Sequence, residues 1–524
     1  MHSSRTAVII PDGPALTYTQ LQQQIQHVAA CLHSFLPAFT PATAIALSLV
    51  NNLEFTASFL AITWMRGVAA PLNPGYTVEE NKFYLDDMKC AAVLVLKGEG
   101  ANARKAAADY KIPVLEIGYD KHRHTLTLTA PDGKVISPRT VSFAPQPSDV
   151  CLILHTSGTT SRPKAVPLTH RNICTSIGNI SRTYDLTAED RTLIVMPLFH
   201  VHGLIGVLLS TLATGGMCVI PPRFSATAFW PHFDRYQCTW YSSVPTIHQI
   251  LVSQELKANP SPPSPVKRRP YHRFIRSCSS ALAPATMQQL ESLYGVPVVE
   301  AYAMTEAAHQ MTSNNLPHKG KRKPGSVGQG QGVKVAILND ANQPLPTGQE
   351  GEVSIQGANV TPGYINNEAA NVSSFTSNGW FRTGDQGYLD EDGYVFLTGR
   401  LKELINRGGE KISPLEIDHV LLQSPLVAEA IAFGVADVKY GQEVAAAVVL
   451  KPNAEVKEAA EVERRLQEWC RKQMSAFKVP KRIYVAETLP RTATGKIQRR
   501  HVASAFEGKK EEKGAGKEVI KSKL

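Results

Sequence analysis

The sequence predicts an α/β protein: a large N-terminal domain of αβ-layered subdomains, a β subdomain, and a small α+β C-terminal domain. Three observations carry this. Short apolar runs alternate with apolar residues at helical spacing up to about residue 310. From about residue 325 short strand patterns and Gly-rich turns take over. The last hundred or so residues then show an αβ alternation of their own, beyond a boundary near residue 400. At 524 residues the chain is long enough for several cores.

In order along the chain, the stretch from Leu16 in "LTYTQLQQQIQHVAACLHSFL" has helical spacing, and "AIALSLV" (44–50) suits a buried strand. "NLEFTASFLAITWMRGVAAPLNP" reads as a helix stopped by Gly67 and Pro71, and "AAVLVL" (91–96) as a second buried strand. That succession predicts largely parallel pairing. "VCLILHT" (150–156) is a strand that feeds straight into a loop. "RTLIVMPLFHVHGLIGVLLSTLATGG" reads as a strand, a turn at Pro197 and a helix. "GMCVIPP", "CTWYSSVP" and "RFIRSCSSALAP" supply further strands. After the boundary come a helix from Pro414, strands in "VAEAIAFGVAD" and "EVAAAVVL", and a helix in "EVERRLQEWCRKQM". The division expected is 1–400, 401–505 and a disordered basic tail, 506–524.

Composition excludes several classes. Hydrophobic residues make up 43% and charged residues 19%, an ordinary globular balance with no run long enough to span a membrane. The N-terminal apolar stretch is short and broken at Pro11, unlike a secretory signal. Eight scattered cysteines without a CxxC pair suit free thiols in a reducing compartment. The pairs His122/His124 and His200/His202 lack further ligands at zinc spacing. The net charge of +10 is concentrated in "KRRPYHR", "HKGKRK" and the tail, without the interleaved aromatic residues of an RNA-binding surface, so no nucleic-acid partner is expected. The chain closes on Ser522, Lys523 and Leu524, a tripeptide read by the peroxisomal import receptor. Peroxisomal localisation is therefore expected, with the cytosol as the alternative.

Chemistry gathers in "HTSGTTSRPKAVPLTH" (155–170). Thr156, Ser157, Gly158, Thr159, Thr160 and Lys164 offer hydroxyls, close backbone approach and a mobile cation, all suited to phosphate oxygens. It is not a Walker loop, because Pro163 precedes the lysine and Ala165 follows it, and a plain surface turn has the same composition. Further stretches weigh against the plain turn. "EAYAMTEAAH" (300–309) sets an aromatic residue near a Thr-Glu pair, "GWFRTGDQGYLDEDGYVFLTGRLKELI" spaces Asp385 and Arg400, and "PRTATGKIQRR" (490–500) puts Lys496 in a Gly-bearing loop.

Together and in this order, these motifs closely resemble the acyl-activating adenylate-forming superfamily over roughly residues 15 to 505. The superfamily includes acyl-CoA and coumarate-CoA ligases, firefly-type luciferases and peptide-synthetase adenylation domains. The resemblance implies ATP, Mg²⁺ and the co-substrate CoA: a carboxylic acid and ATP give acyl-AMP and pyrophosphate, and CoA then takes the acyl group. It implies that 156–164 grips the ATP phosphates, that Tyr302, in the run Glu300, Ala301, Tyr302, meets adenine, and that Thr305 and Glu306 serve the α-phosphate and Mg²⁺. Asp385 matches the ribose-binding aspartate, with Arg400 its partner at ribose and α-phosphate. Lys496 matches the catalytic lysine, and Lys402 the hinge about which a mobile C-terminal domain turns. Gly408 and Gly409 would line the pantetheine channel; Arg223 would meet CoA phosphates or be an ordinary surface arginine. Departures are Ser161 and Ala165 in place of glycines usual in the loop, and Asn406 where many relatives have lysine.

For the acid, the resemblance points to His200, His202, Ser279, Ser280, Ala281 and His309 as pocket residues, with His200 a gate shared by relatives. Serines and histidines suit a second carboxylate rather than a long alkyl chain. The whole pattern most resembles the oxalate-CoA ligase branch. Medium- or long-chain fatty acids and aryl acids are the alternatives, and a luciferase-like monooxygenase or a non-catalytic adenylate-binding protein would be a different class.

Overall fold

The computed structural model describes residues 4–139, 142–156, 163–258, 269–451, 454–456, 458–491, 497 and 499–507. Four sheets organise them, of nine, seven, four and five strands.

The seven-stranded sheet is parallel through its centre, where Ala44–Ser48 pairs with Val68–Pro71 and Ala92–Leu96. These strands are buried along their whole length except for the last residue of Ala92–Leu96, as expected for parallel strands covered on both faces. Its edges are antiparallel hairpins, Val114–Asp120 with Thr125–Thr129 and Val150–Thr156 with Lys164–Thr169. The nine-stranded sheet repeats the plan: Trp240–Ser243, Phe274–Ser277 and Val298–Met304 run parallel, and His309–Ser313 then returns antiparallel. Pairing expected to be largely parallel thus holds in the sheet centres, while antiparallel returns close the edges.

One sequence assignment is corrected. The helix expected up to Gly67 and Pro71 ends at Trp64, and Val68–Pro71 is a strand. Gly67 is where the chain turns: a Cβ there would lie 3.1 Å from the side chains of Ile62 and Phe39. Helix starts follow local chemistry. Thr17 with Gln20, Thr77 with Glu80 and Thr169 with Asn172 form reciprocal caps that satisfy the first free N–H groups.

The four-stranded sheet is an antiparallel meander, Lys334–Leu338, Gly351–Gln356, Phe381–Leu389 and Val395–Arg400. The five-stranded sheet lies beyond residue 400, with Val427–Asp437 and Gly441–Leu450 as its long central pair. Helices Pro414–Leu422 and Ala459–Arg471 bury Ile417, Leu421, Val462 and Leu466 in a core shared with this sheet. Cys174 is exposed and the other seven thiols are buried and free. Among the described residues no helix is long and apolar enough to cross a membrane.

Candidate active site

The functional side chains sit where the antiparallel edges turn. Thr156 and Lys164 face each other as the last register pair of their hairpin, at the neck of the loop they flank. Ser157, Gly158, Thr159 and Thr160 lie outside the described residues, as does Lys496. The Lys164 ammonium lies 4.0 Å above the Tyr364 ring, and the Tyr364 hydroxyl donates to Glu306 at 2.8 Å. Glu306 is buried in the short 3₁₀ turn Thr305–Ala307. Burial raises its carboxyl pKa, against the pull of the Tyr364 hydrogen bond and of Lys164 and Arg400. Burial lowers the ammonium pKa of Lys164; nearby Glu306 opposes this and Lys402 adds to it.

A second group stands alongside. Asp385 and Arg400 are register partners across adjacent strands, which brings residues 15 positions apart into a 2.8 Å ion pair. The other Asp385 oxygen accepts from the Tyr302 hydroxyl. Proximity to Asp385 raises the Arg400 pKa, so this cation is charged at any working pH. Ala301 and Glu300 are buried on the same strand as Tyr302. Burial pushes Glu300 up to about 7, against a weak pull from the backbone N–H groups of Gly325, 3.4 Å away, and Leu282.

The acyl-side residues form a separate cluster. His200 caps the helical turn Val201–Gly203, its Nδ1 accepting from the His202 N–H at 3.2 Å. His202 is fully buried; its Nδ1 lies 3.1 Å from Ser279 Oγ and its Nε2 2.6 Å from Ser242 Oγ. The His309 ring stacks on it at 5.2 Å. Burial holds both imidazoles neutral, and the charge of Arg276 adds to that. Ser279 and His309 have positive φ, 74° and 94°, a strained geometry for side-chain-bearing residues that clusters at functional sites. Ser280 and Ala281 are exposed beside them.

The helix expected after Pro197 carries a widened π turn, Leu204–Leu209, between α segments. Gly206 lies on that turn, and a Cβ there would come within 2.4 Å of His309 Nε2. The glycine lets the helix backbone press against the imidazole.

Sequence reasoning missed Arg276, Ser242, Tyr364 and Gly206. Arg276 is fully buried and donates to Tyr184 (2.8 Å), Ser242 (3.1 Å) and Gln310 (3.1 Å), all neutral. The available signal was an arginine inside the apolar strand run "RFIRSCSS", where a buried cation demands partners.

Other predicted residues lie apart. Arg223 is exposed at a cavity of about 200 Å³ lined by Leu193, Val195, Phe229 and His232. Gly408 and Gly409 form the turn between strands Ile405–Arg407 and Glu410–Ile412, both at positive φ, with Tyr440 flanking Gly408. Lys402 is exposed on the short turn Leu401–Glu403 that joins the last strand of the four-stranded sheet to the C-terminal one. Arg491 and Ile497, which flank 492–496, pair with each other, and Arg491 donates to Thr246 at 2.8 Å.

Known proteins resemble this chain over nearly its whole length. Residues 1–365 match the AMP-binding enzyme family and 416–496 the AMP-binding enzyme C-terminal domain. The chain is 46% identical to an oxalate–CoA ligase of Saccharomyces cerevisiae, covering 96% of this chain and 95% of that protein. It is 47% identical to an oxalate–CoA ligase of Arabidopsis thaliana, covering 96% of each. The crystal structure of ATP-bound MatB from Rhodopseudomonas palustris superposes with a TM-score of 0.83 at 27% identity, covering 96% of each chain. The chain therefore belongs to the AMP-binding, adenylate-forming enzyme family, and it is an AMP-forming acid–CoA ligase.

Proposed function

We propose that the acid is oxalate and that the product is oxalyl-CoA. The observation that carries this reading is the polar floor of the acyl cluster: two neutral imidazoles and the Ser279 hydroxyl above a buried guanidinium, where a fatty acid would need apolar walls. The activity of the two relatives supports it.

In this reading an oxalate oxygen attacks the α-phosphorus of ATP. The acyl–phosphate bond forms, the bond to the β-phosphate oxygen breaks, and pyrophosphate leaves. The CoA sulfur then attacks the acyl carbon, a C–S bond forms, AMP departs, and the thiol proton passes to solvent. Repulsion between carboxylate and phosphate is the barrier, so fixed cations matter most. Lys164 and residues 156–160 hold the phosphates, Tyr302 faces adenine, with Glu300 and Ala301 behind it, and Asp385 with Arg400 holds ribose and α-phosphate. Thr305 positions the α-phosphate. Glu306 fits Mg²⁺ as a buried carboxylate that accepts from the Tyr364 hydroxyl and from its own backbone N–H and lies near the Lys164 and Arg400 charges. The metal would supply charge neutralisation on the phosphates. Residues 1–400 form the adenylation domain, and 401–505 turn about Lys402 to bring first Lys496, then the Gly408–Gly409 turn, to the site. Arg223 receives CoA phosphates, and His200 gates the acyl pocket. The closing Ser522-Lys523-Leu524 directs the protein to peroxisomes; a reporter bearing 506–524 should accumulate there, and should stay cytosolic without Leu524.

The test is a CoA-dependent pyrophosphate assay across oxalate, malonate, acetate, hexanoate, palmitate and coumarate. Oxalate should give the highest kcat/KM, with AMP as product. A preference for hexanoate or palmitate would overturn the reading.

A further inference from the structure

A guanidinium can only donate hydrogen bonds. This gives the chain of contacts above Arg276 a direction. Arg276 Nη1 donates to Ser242 Oγ at 3.1 Å. Ser242 is buried, and among the described residues the only other partner of its hydroxyl is His202 Nε2, at 2.6 Å. Were Nε2 also to donate, the Ser242 hydrogen would be buried without an acceptor, which is unfavourable. The hydroxyl therefore donates to Nε2, and the single proton of the neutral imidazole sits on Nδ1. Nδ1 then donates to Ser279 Oγ, 3.1 Å away. The Ser279 hydrogen is left over. It has no acceptor among the described residues, on a half-buried residue held at φ 74°.

Two further observations point to an anion at this end. Arg276 has no carboxylate within ion-pair distance among the described residues, although it is fully buried, so its charge is uncompensated. His309, stacked on His202 and fully buried, has no partner for either ring nitrogen among the described residues.

We propose that Arg276 is a positioning residue that selects a dianionic acid: by orienting Ser242, His202 and Ser279 in sequence it turns the Ser279 hydroxyl into an obligate donor to the substrate's second carboxylate, whose charge offsets the buried guanidinium. This rests on the oxalate reading. It assigns the discrimination between acids with one and two carboxylates to a residue that touches neither. The unfavourable pull of Arg276 on protonation of both imidazoles agrees with a field that favours negative charge here.

The test compares oxalate with oxamate, which has nearly the same shape but only one negative charge. The wild type should prefer oxalate by at least tenfold in kcat/KM; failure at this step would overturn the oxalate reading itself. With that preference in hand, Ser242→Ala should lower the oxalate/oxamate ratio by about tenfold, through a raised KM for oxalate. KM for ATP should stay within twofold. Ser242→Thr keeps the hydroxyl and should keep the ratio within about threefold. Arg276→Met should lose the ratio as Ser242→Ala does; should it fail to fold, the Ser242 pair still decides. An unchanged ratio in Ser242→Ala, an equal loss for both acids, or the same collapse in Ser242→Thr would overturn the proposal.

Discussion

Among the residues proposed to hold the nucleotide, Asp385 accepts from both Arg400 and Tyr302, and Glu306 accepts from Tyr364 with Lys164 close by. Among those proposed to hold the acid, Arg276 spreads its charge over three neutral acceptors, beside two imidazoles kept uncharged. The first group pairs Asp385 with Arg400 and sets Lys164 near Glu306, whereas Arg276 has no carboxylate within ion-pair distance among the described residues. A substrate with many charges and a fixed shape suits a site already balanced, because each paired group is held in place before ATP arrives. A very small acid offers few contacts, so an unmatched charge in a dry pocket is the stronger discriminator.

The comparison can be broken most severely from the cation side. Lys496→Ala should slow adenylation by about a hundredfold or more, read as the pyrophosphate burst, since a transition-state charge donor is removed; an unchanged burst would remove Lys496 from the chemistry. Asp385→Asn should raise KM for ATP by about 10–100-fold, because a charged hydrogen-bond acceptor of Arg400 and Tyr302 is lost. KM for the acid should barely move, and an equal rise in both would erase the distinction between the two ends. His309→Ala should lower kcat/KM for oxalate about tenfold while leaving ATP binding intact, measured by isothermal titration; equal losses for oxalate and hexanoate would take His309 out of the acyl pocket.

The smallest effect concerns Glu300, a carboxylate on the nucleotide side that lacks a cation. Its pKa is raised by burial from 4.5 to about 7, so across that window the folded protein keeps a proton that the unfolded chain has released. This contribution to stability is full below about pH 4.5 and is lost as pH rises through about 7. The melting temperature should fall by a few degrees over that range, and Glu300→Gln should flatten the fall. An identical slope in the variant would mean that another group titrates.

How much of this was legible in the sequence depended on distance along the chain. Asp385 and Arg400 could be read together because they sit 15 residues apart on adjacent strands, within one motif. Thr156 and Lys164 bracket a single loop. Arg276 escaped because its partners Tyr184 and Ser242 are 92 and 34 residues away, and no local pattern announces a contact between elements so far apart in the chain. Tyr364 meets Glu306 from 58 residues downstream, so the Thr-Glu pair was visible and its hydroxyl donor was not. The strand Val68–Pro71 was taken for the end of a helix because four small apolar residues carry no period of their own.

The π turn at Leu204–Leu209 packs one residue more into the helix than a regular α-helix of equal length would need. Deleting one residue there would restore even α winding and re-phase the residues of the turn itself by up to about 100° around the helix axis. Gly206 would then leave the face it presents to the His309 imidazole. If His309 lines the acyl pocket as proposed, the kind of acid accepted lies within reach of a single deletion, a change that a deletion scan across acids of increasing length would register.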